Sequence, residues 1–186
     1  MTVRNLKIIL PVIITLIFFT TNAQQPNKNK FGIDAFTGVP AGLIEGMQAP
    51  LFTGKDDKGR NVSLATLVKD GPVVLFFYRG EWCPVCKRYL KQYRDSLDLV
   101  IEKGAHVVAV TPETVENVEK TRKKTGFRFT VVSDPDRQIM KDYKVLFHVT
   151  DKYRQKIKLL LREDIAEING DKEAWLPVPA TYVINR

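Results

Sequence analysis

One stretch narrows the folds open to this chain more than any other: GPVVLFFYRGEWCPVCKRYL, residues 71–90. Val73 to Tyr78 is an unbroken apolar run, the pattern of a strand buried on both faces and so of a parallel sheet covered by helices. A loop, Arg79-Gly80-Glu81-Trp82, leads to Cys83-Pro84-Val85-Cys86, and a helical pattern runs on from Lys87. A cysteine at a helix start meets unpaired backbone N–H groups and the positive end of the helix dipole. Both favour the thiolate over the thiol. Pro84 suits the first turn, where a missing N–H costs nothing. Two cysteines so placed can close a small disulfide and reopen it, which is redox chemistry rather than scaffolding.

Two plainer readings of the pair are weaker. A zinc site needs two further ligands, and the chain holds only 2 cysteines and 2 histidines. His106 opens an apolar run and reads as structural, and His148 has no ligand spacing to the pair. A purely structural disulfide stabilises more the longer the loop it closes, and this loop is minimal.

The first segment reads as an address. Arg4 and Lys7 form a charged start, Ile8 to Phe19 an apolar run too short for a comfortable membrane span, and Thr21-Asn22-Ala23 a cleavage site. Residues 1–23 are therefore expected to be a signal peptide cut after Ala23. An uncleaved anchor is the alternative and would be the only membrane contact. Either way the domain is expected to be exported, periplasmic or extracytoplasmic, where a lone CxxC pair fits thiol–disulfide work. The formal charge of +8 gathers on Lys120–Lys124 and Lys152–Lys158, as solvated helix faces do. No nucleic-acid motif accompanies it, so no nucleic-acid partner is expected.

Residues 24–46, polar and Pro/Gly-bearing, read as a mobile lead-in. Ala49-Pro50-Leu51-Phe52 begins a short strand, Asp56 to Gly59 a turn and Arg60 to Ser63 the return, a β-hairpin. Ser63 caps a short helix over Leu64 to Lys69. After the cysteines, Leu90, Tyr93, Leu97, Val100 and Ile101 form one apolar helix face, which Gly104 ends. His106 to Val110 is a second buried strand. Thr111-Pro112-Glu113 reads as the cap and first turn of a helix ending before Gly126. Phe127 to Val132 is a third strand, and Ser133-Asp134-Pro135 starts a helix to about Tyr143. Lys144 to Thr150 has no clear pattern. Asp151 to Ile168 reads as one helix stopped by Gly170, and Ala180 to Ile184 as a last strand. Strands alternating with helices predict an α/β fold, and 44% hydrophobic content is enough for a core of ordinary size.

FFYRGEWCPVC, the amphipathic helix after it, VVAVTPET, VVSDPD and PATYVI together resemble the alkyl hydroperoxide reductase/thiol-specific antioxidant (AhpC/TSA) branch of the thioredoxin fold, from about Ala49 onward. The resemblance implies a thioredoxin-like, peroxiredoxin-like domain over 47–186. Its fold would have three layers, a central mixed sheet flanked by helices with an N-terminal β-hairpin extension. Such domains continue past the last strand with a further strand and helix, so the domain is either complete at Arg186 or C-terminally cut. Peroxiredoxins carry Pro-x-x-x-Thr-x-x-Cys after the central strand and an arginine before the late one. Laid on this chain, Cys86 takes the peroxidatic position, Arg79 the proline, Cys83 the threonine and Pro179 the arginine. A cysteine at 83 and a proline at 179 are what thioredoxins have. There the proline bond is cis, an isomer costing about 0.5–1 kcal/mol at X–Pro.

The site residues expected are thus Cys83 and Cys86, with Trp82, Pro84, Arg79, Val178 and Pro179 around them. As a dithiol–disulfide oxidoreductase, Cys83, the more exposed cysteine, would attack a partner disulfide and Cys86 would resolve it. The Val178 backbone would pair with the bound peptide and Pro179 would shape the groove. As a hydroperoxide reductase, Cys86 would attack the peroxide and Cys83 would resolve, with a thiol reductant as partner. A copper-delivery protein is a third reading, with the thiolates as Cu(I) ligands. The first two need no metal or organic cofactor.

Overall fold

A computed structural model describes residues 31–185. The expected signal peptide, its cut after Ala23 and the start of the lead-in lie outside the described residues. From Phe31 the chain docks instead of ranging free, contrary to the mobile lead-in expected. Ile33 is buried and bridges Val149, the Asp34 N–H donates to the His148 carbonyl at 2.9 Å, and Gly32 lies flat on Tyr153, where a Cβ would meet the ring at 2.2 Å.

The sheet begins with a hairpin of β1 (Thr53–Asp56) and β2 (Asn61–Ser63). Asp56 ties its turn, its carboxylate accepting the N–H groups of Lys58 and Arg60 at 2.9 and 2.8 Å. Helix α1 (Leu64–Asp70) starts at the expected cap, the Ser63 hydroxyl accepting from the Thr66 N–H. Strand β3 (Val73–Phe77) follows, then α2 (Pro84–Glu102), β4 (His106–Thr111), α3 (Val115–Thr125), β5 (Thr130–Ser133) and α4 (Gln138–Asp142). The patternless Lys144–Thr150 holds β6 (Leu146–His148). After α5 (Asp151–Leu161) and α6 (Ile165–Ile168), β6 pairs with β7 (Trp175–Pro177), and β8 (Ala180–Ile184) closes the main sheet.

The six-stranded order is β2-β1-β5-β4-β3-β8. β3, β4 and β5 run parallel, while β1 against β5 and β8 against β3 are antiparallel. The sheet is therefore mixed, and the hairpin extends it at one edge. Side-chain alternation divides the core. Val73, Leu75, Phe77, Val108 and Val110 join the cluster holding Leu64 of α1 and Met140 of α4. Val74, Phe76, Val107 and Ala109 face the cluster of Leu90 from α2 and Val118 from α3. Helices on both faces of a mixed sheet are the thioredoxin-like α/β architecture the resemblance implied.

Several expected elements shift for identifiable reasons. Thr111 ends β4 and caps nothing; α3 begins after Thr114, and Glu113 is buried below the turn. The first strand starts at Thr53 rather than Ala49. The helix expected from Asp134 begins at Gln138, with the Asp134 carboxylate accepting the Ile139 and Met140 N–H groups at 3.3 and 3.0 Å. The single helix expected over 151–168 is two. Arg162 turns left-handed (φ 58°), and Asp164 caps α6 through the Ala166 N–H while holding Arg154 Nε at 2.9 Å. No described peptide bond is cis, so the Val178–Pro179 bond is trans, not the cis isomer expected.

Candidate active site

The parallel strands β3 and β4 end at the same edge of the sheet, and the site sits on it, as ligand sites of parallel sheets do. β3 runs into the loop Tyr78 to Trp82, where the Tyr78 N–H still donates to Val110 of β4 at 3.2 Å. A turn closed by the Cys83 N–H on the Gly80 carbonyl at 3.2 Å then delivers the chain to α2. Cys83 is the N-cap of α2 with extended backbone (φ −84°, ψ 106°), Pro84 enters the first turn, and Cys83 Sγ accepts the Cys86 N–H at 3.4 Å. A sulfur thus stands where a serine or aspartate oxygen usually caps a helix.

Both cysteines are free thiols, 7% and 9% exposed. Cys83 is therefore not the more exposed of the two; the electrostatics separate them instead. The Cys86 thiol hydrogen bond is the largest influence on Cys83. With the Cys86 and Val85 N–H groups and the Arg79 charge it overrides burial and lowers the Cys83 thiol to about 6. Cys86 moves the other way, pushed up by the hydrogen bond to Cys83, by burial and by the Cys83 charge. Within the pair, the shared hydrogen bond and the cap position therefore favour the charge on Cys83 and the proton on Cys86.

The neighbours expected from the sequence differ in burial and in contacts. Arg79 is half-buried, its guanidinium 5.9 Å from the Phe147 ring centre and its Nε without a protein partner. Trp82 is buried, its indole N–H likewise unpartnered. Pro84 and Val85 form the exposed shoulder over the cysteines. Pro179, the residue before β8, lines with Cys86, Val85, Phe76 and Tyr89 an apolar cavity of about 530 Å³ between α2 and the sheet edge. Val178 does not offer its N–H to a peptide, contrary to expectation: it already donates to the Val145 carbonyl at 2.8 Å.

Two buried acids, Glu81 in the loop and Glu113 beneath it, are not among the site residues expected from the sequence. Glu81 is buried with its carboxylate bonded to Lys87 at 3.3 Å and to Lys124; burial pushes it up, the two ammonium groups outweigh that, and its pKa ends lowered. Glu113 is fully buried. It accepts the Glu81 N–H, lies beside Thr111 and the Tyr78 phenol, and is raised by burial to about 7. The only sequence signal for it was an acid just past a buried strand, at the edge where the cysteines stand.

Among the described residues no three His, Cys, Asp or Glu side chains gather as a metal site. His106 pairs with Val73 at the opposite end of the strands from the cysteines and bonds Asp70 at 2.8 Å, and His148 faces Asp34 and meets the Trp175 ring edge-on. The copper reading therefore finds no third ligand here.

A family model, the AhpC/TSA family, matches residues 46–186. The chain belongs to the AhpC/TSA family. Curated relatives include a chloroplastic peroxiredoxin Q of Suaeda salsa, 32% identical over 107 residues (58% of this chain, 50% of that protein), and one of Gentiana triflora, 32% identical over 130 residues (70% and 58%). The chain thus spans about half the length of the curated relatives it matches. Among solved structures, the peroxidoxin BcpB of Mycobacterium tuberculosis superposes with a TM-score of 0.56 at 23% identity, covering 78% of this chain and 79% of that one. A Xanthomonas campestris peroxiredoxin Q gives 0.54 at 18%, covering 72% and 73%. These likenesses establish the thioredoxin fold; the chemistry of this AhpC/TSA member rests on its thiol pair.

Proposed function

We propose that this chain is a thiol-dependent hydroperoxide reductase that works through the Cys83–Cys86 pair. The carrying observation is a family match over the whole sheet, falling on a chain whose Cys83 is held as a thiolate with Cys86 as its proton partner. The relatives named peroxiredoxin supply the substrate class. The hydrogen bond between the two sulfurs and the helix-cap position favour Cys83 over Cys86 as the attacking sulfur, the opposite of what the family position implies. The Cys83 thiolate attacks the terminal hydroperoxide oxygen and breaks the O–O bond; the hydroxyl goes to sulfur, making Cys83 a sulfenic acid, and the departing alkoxide takes a proton from solvent and leaves as an alcohol. Cys86 then attacks that sulfur, water leaves, and the disulfide closes. Two electrons pass from the dithiol to the hydroperoxide, and an external thiol reductant returns them. Arg79 supplies positive charge at the pair, the service the family draws from an arginine where Pro179 stands here.

A second reading, exchange with the disulfide of an exported protein, is favoured by the Cys83 cap and by Pro179 sharing a cavity with Cys86. It uses the same attack and the same resolving step. Export itself is our proposal from Arg4, Lys7, the apolar Ile8–Phe19 run and the cut at Ala23. The deciding experiment is stopped-flow oxidation of the reduced protein by hydrogen peroxide and by an alkyl hydroperoxide, followed by Trp82 fluorescence. A rate constant orders of magnitude above that of a free thiolate is expected. An ordinary thiolate's rate with both oxidants would discard hydroperoxide reduction and leave disulfide exchange.

A further inference from the structure

Helix α5 carries apolar residues on two sides. Its inner face is the ordinary one: Ile157 is buried, and Tyr153 and Leu161 pack on the cluster that holds the two cysteines. Arg154 and Lys158, on the flank, bond the Asp164 carboxylate at 2.9 and 3.2 Å. At 3.6 residues per turn, Lys152, Gln155, Lys156, Leu159 and Leu160 share the opposite face. All five are exposed, and the two leucines are 82% and 64% so. No acid shares that arc; Asp151 stands off it in the first turn.

Two adjacent leucines left in water call for a cover, and their neighbours say which. Protein interfaces concentrate aromatic residues and arginine and are depleted in lysine. This face offers leucines, lysines and one glutamine. That is the composition of a helix lying in a lipid headgroup layer, where leucines enter the acyl boundary and lysine stems reach back to anionic headgroups. No helix among the described residues is long and apolar enough to cross a bilayer, so α5 would lie along its surface.

The path of the chain points the same way. The N–H of Thr150, the N-cap of α5, donates to the Gly32 carbonyl at 2.9 Å, and Gly32 lies against Tyr153 in the first turn. Phe31, itself exposed, therefore stands beside the start of α5. Upstream, residues 20–30 join it to the apolar run Ile8–Phe19, a link of at most about 40 Å. That link carries Lys28 and Lys30 and no acid. An apolar run kept as an anchor would hold α5 within reach of the bilayer.

We propose that the face of α5 bearing Lys152, Lys156, Leu159 and Leu160 docks on the surface of a bilayer rich in anionic lipid. The inner face keeps its contacts with the cysteine cluster, so the thiol pair works at the membrane surface. The inference concerns where the domain sits and is independent of which oxidant it reduces.

The full chain is mixed with vesicles of phosphatidylglycerol or of phosphatidylcholine. Its lysines are acetylated with a membrane-impermeant ester, and the rate at each lysine in the vesicle-bound protein is read by peptide mass spectrometry. On phosphatidylglycerol, Lys152 and Lys156 are expected to react about five-fold more slowly than in solution, the gain of one lysine at an anionic surface. Exposed Lys103, at the far end of α2, is expected to react at its solution rate. Phosphatidylcholine accepts an apolar run equally but lacks the charge, and is expected to leave Lys152 and Lys156 unshielded. The double variant Leu159→Ser, Leu160→Ser is expected to melt as the wild type does, since both side chains are exposed, and to lose the shielding. Solution rates at Lys152 and Lys156 on phosphatidylglycerol overturn the proposal and leave the face to a protein partner. Shielding that persists in the double variant, or that extends equally to Lys103, overturns it as well.

Discussion

Replacing Glu113 with glutamine should change how stability depends on pH, and the size of the change follows from burial. Burial raises the carboxyl from 4.5 to about 7, because ionising it inside the protein forgoes its hydration while the Glu81 N–H and a weak Thr111 contact return only part of that. The folded state therefore holds this proton more tightly than the unfolded chain. The contribution is whole below pH 4.5 and is lost as pH rises through 7. Over that window it is worth about 3 kcal/mol at 1.36 kcal/mol per pKa unit, of which about 2.5 kcal/mol falls between pH 5 and 8.5. Glutamine has the same shape, can accept the Glu81 N–H and does not titrate. Urea unfolding of reduced wild type and Glu113→Gln at both pH values should show the variant gaining about 2.5 kcal/mol on the wild type at the higher pH. The comparison cancels groups common to both proteins. A gap between the two that stays constant within about 0.5 kcal/mol, or that moves toward the wild type as pH rises, would refute the burial argument.

Alkylation of the reduced protein by iodoacetamide should titrate at about pH 6 and be lost in Cys83→Ser, as the thiolate assignment requires; a titration at the ordinary thiol pKa would contradict it. Gly80→Ala should destabilise by about 2 kcal/mol or more in thermal melts, since the left-handed backbone and the Glu113 carboxyl both exclude a Cβ. Arg122→Leu should cost about 3 kcal/mol in denaturant unfolding. Arg122 bonds Asp57 twice at 2.7 Å and the Phe127 and Phe129 carbonyls at 3.1 and 3.3 Å, and its loss leaves a buried carboxylate unpaired.

Local pattern made much of the framework legible. Apolar runs marked β3 and β4, the i, i+3, i+4 stripe marked α2, and Ser63 marked the start of α1, because these signals lie within a few residues of what they specify. The cysteine pair was equally local, since its spacing and the helix after it are written side by side. What sequence could not assign were effects summed across the sheet. Which cysteine is the thiolate depends on the cap geometry and on Arg79, not on which sulfur is nearer solvent. Glu113 looked like a first-turn acid because Thr-Pro-Glu before a helix usually is one. β4 runs one residue further than its apolar run and carries that acid under the loop from β3, thirty-two residues earlier in the chain. Val178 lost its expected freedom to Val145, a residue no periodicity connects to it. Local pattern is enough for an α/β sheet with two cysteines at a helix start. The imbalance between the two sulfurs and the burial of Glu113 arise only on folding, because burial and electrostatics depend on neighbours that the folded chain brings together.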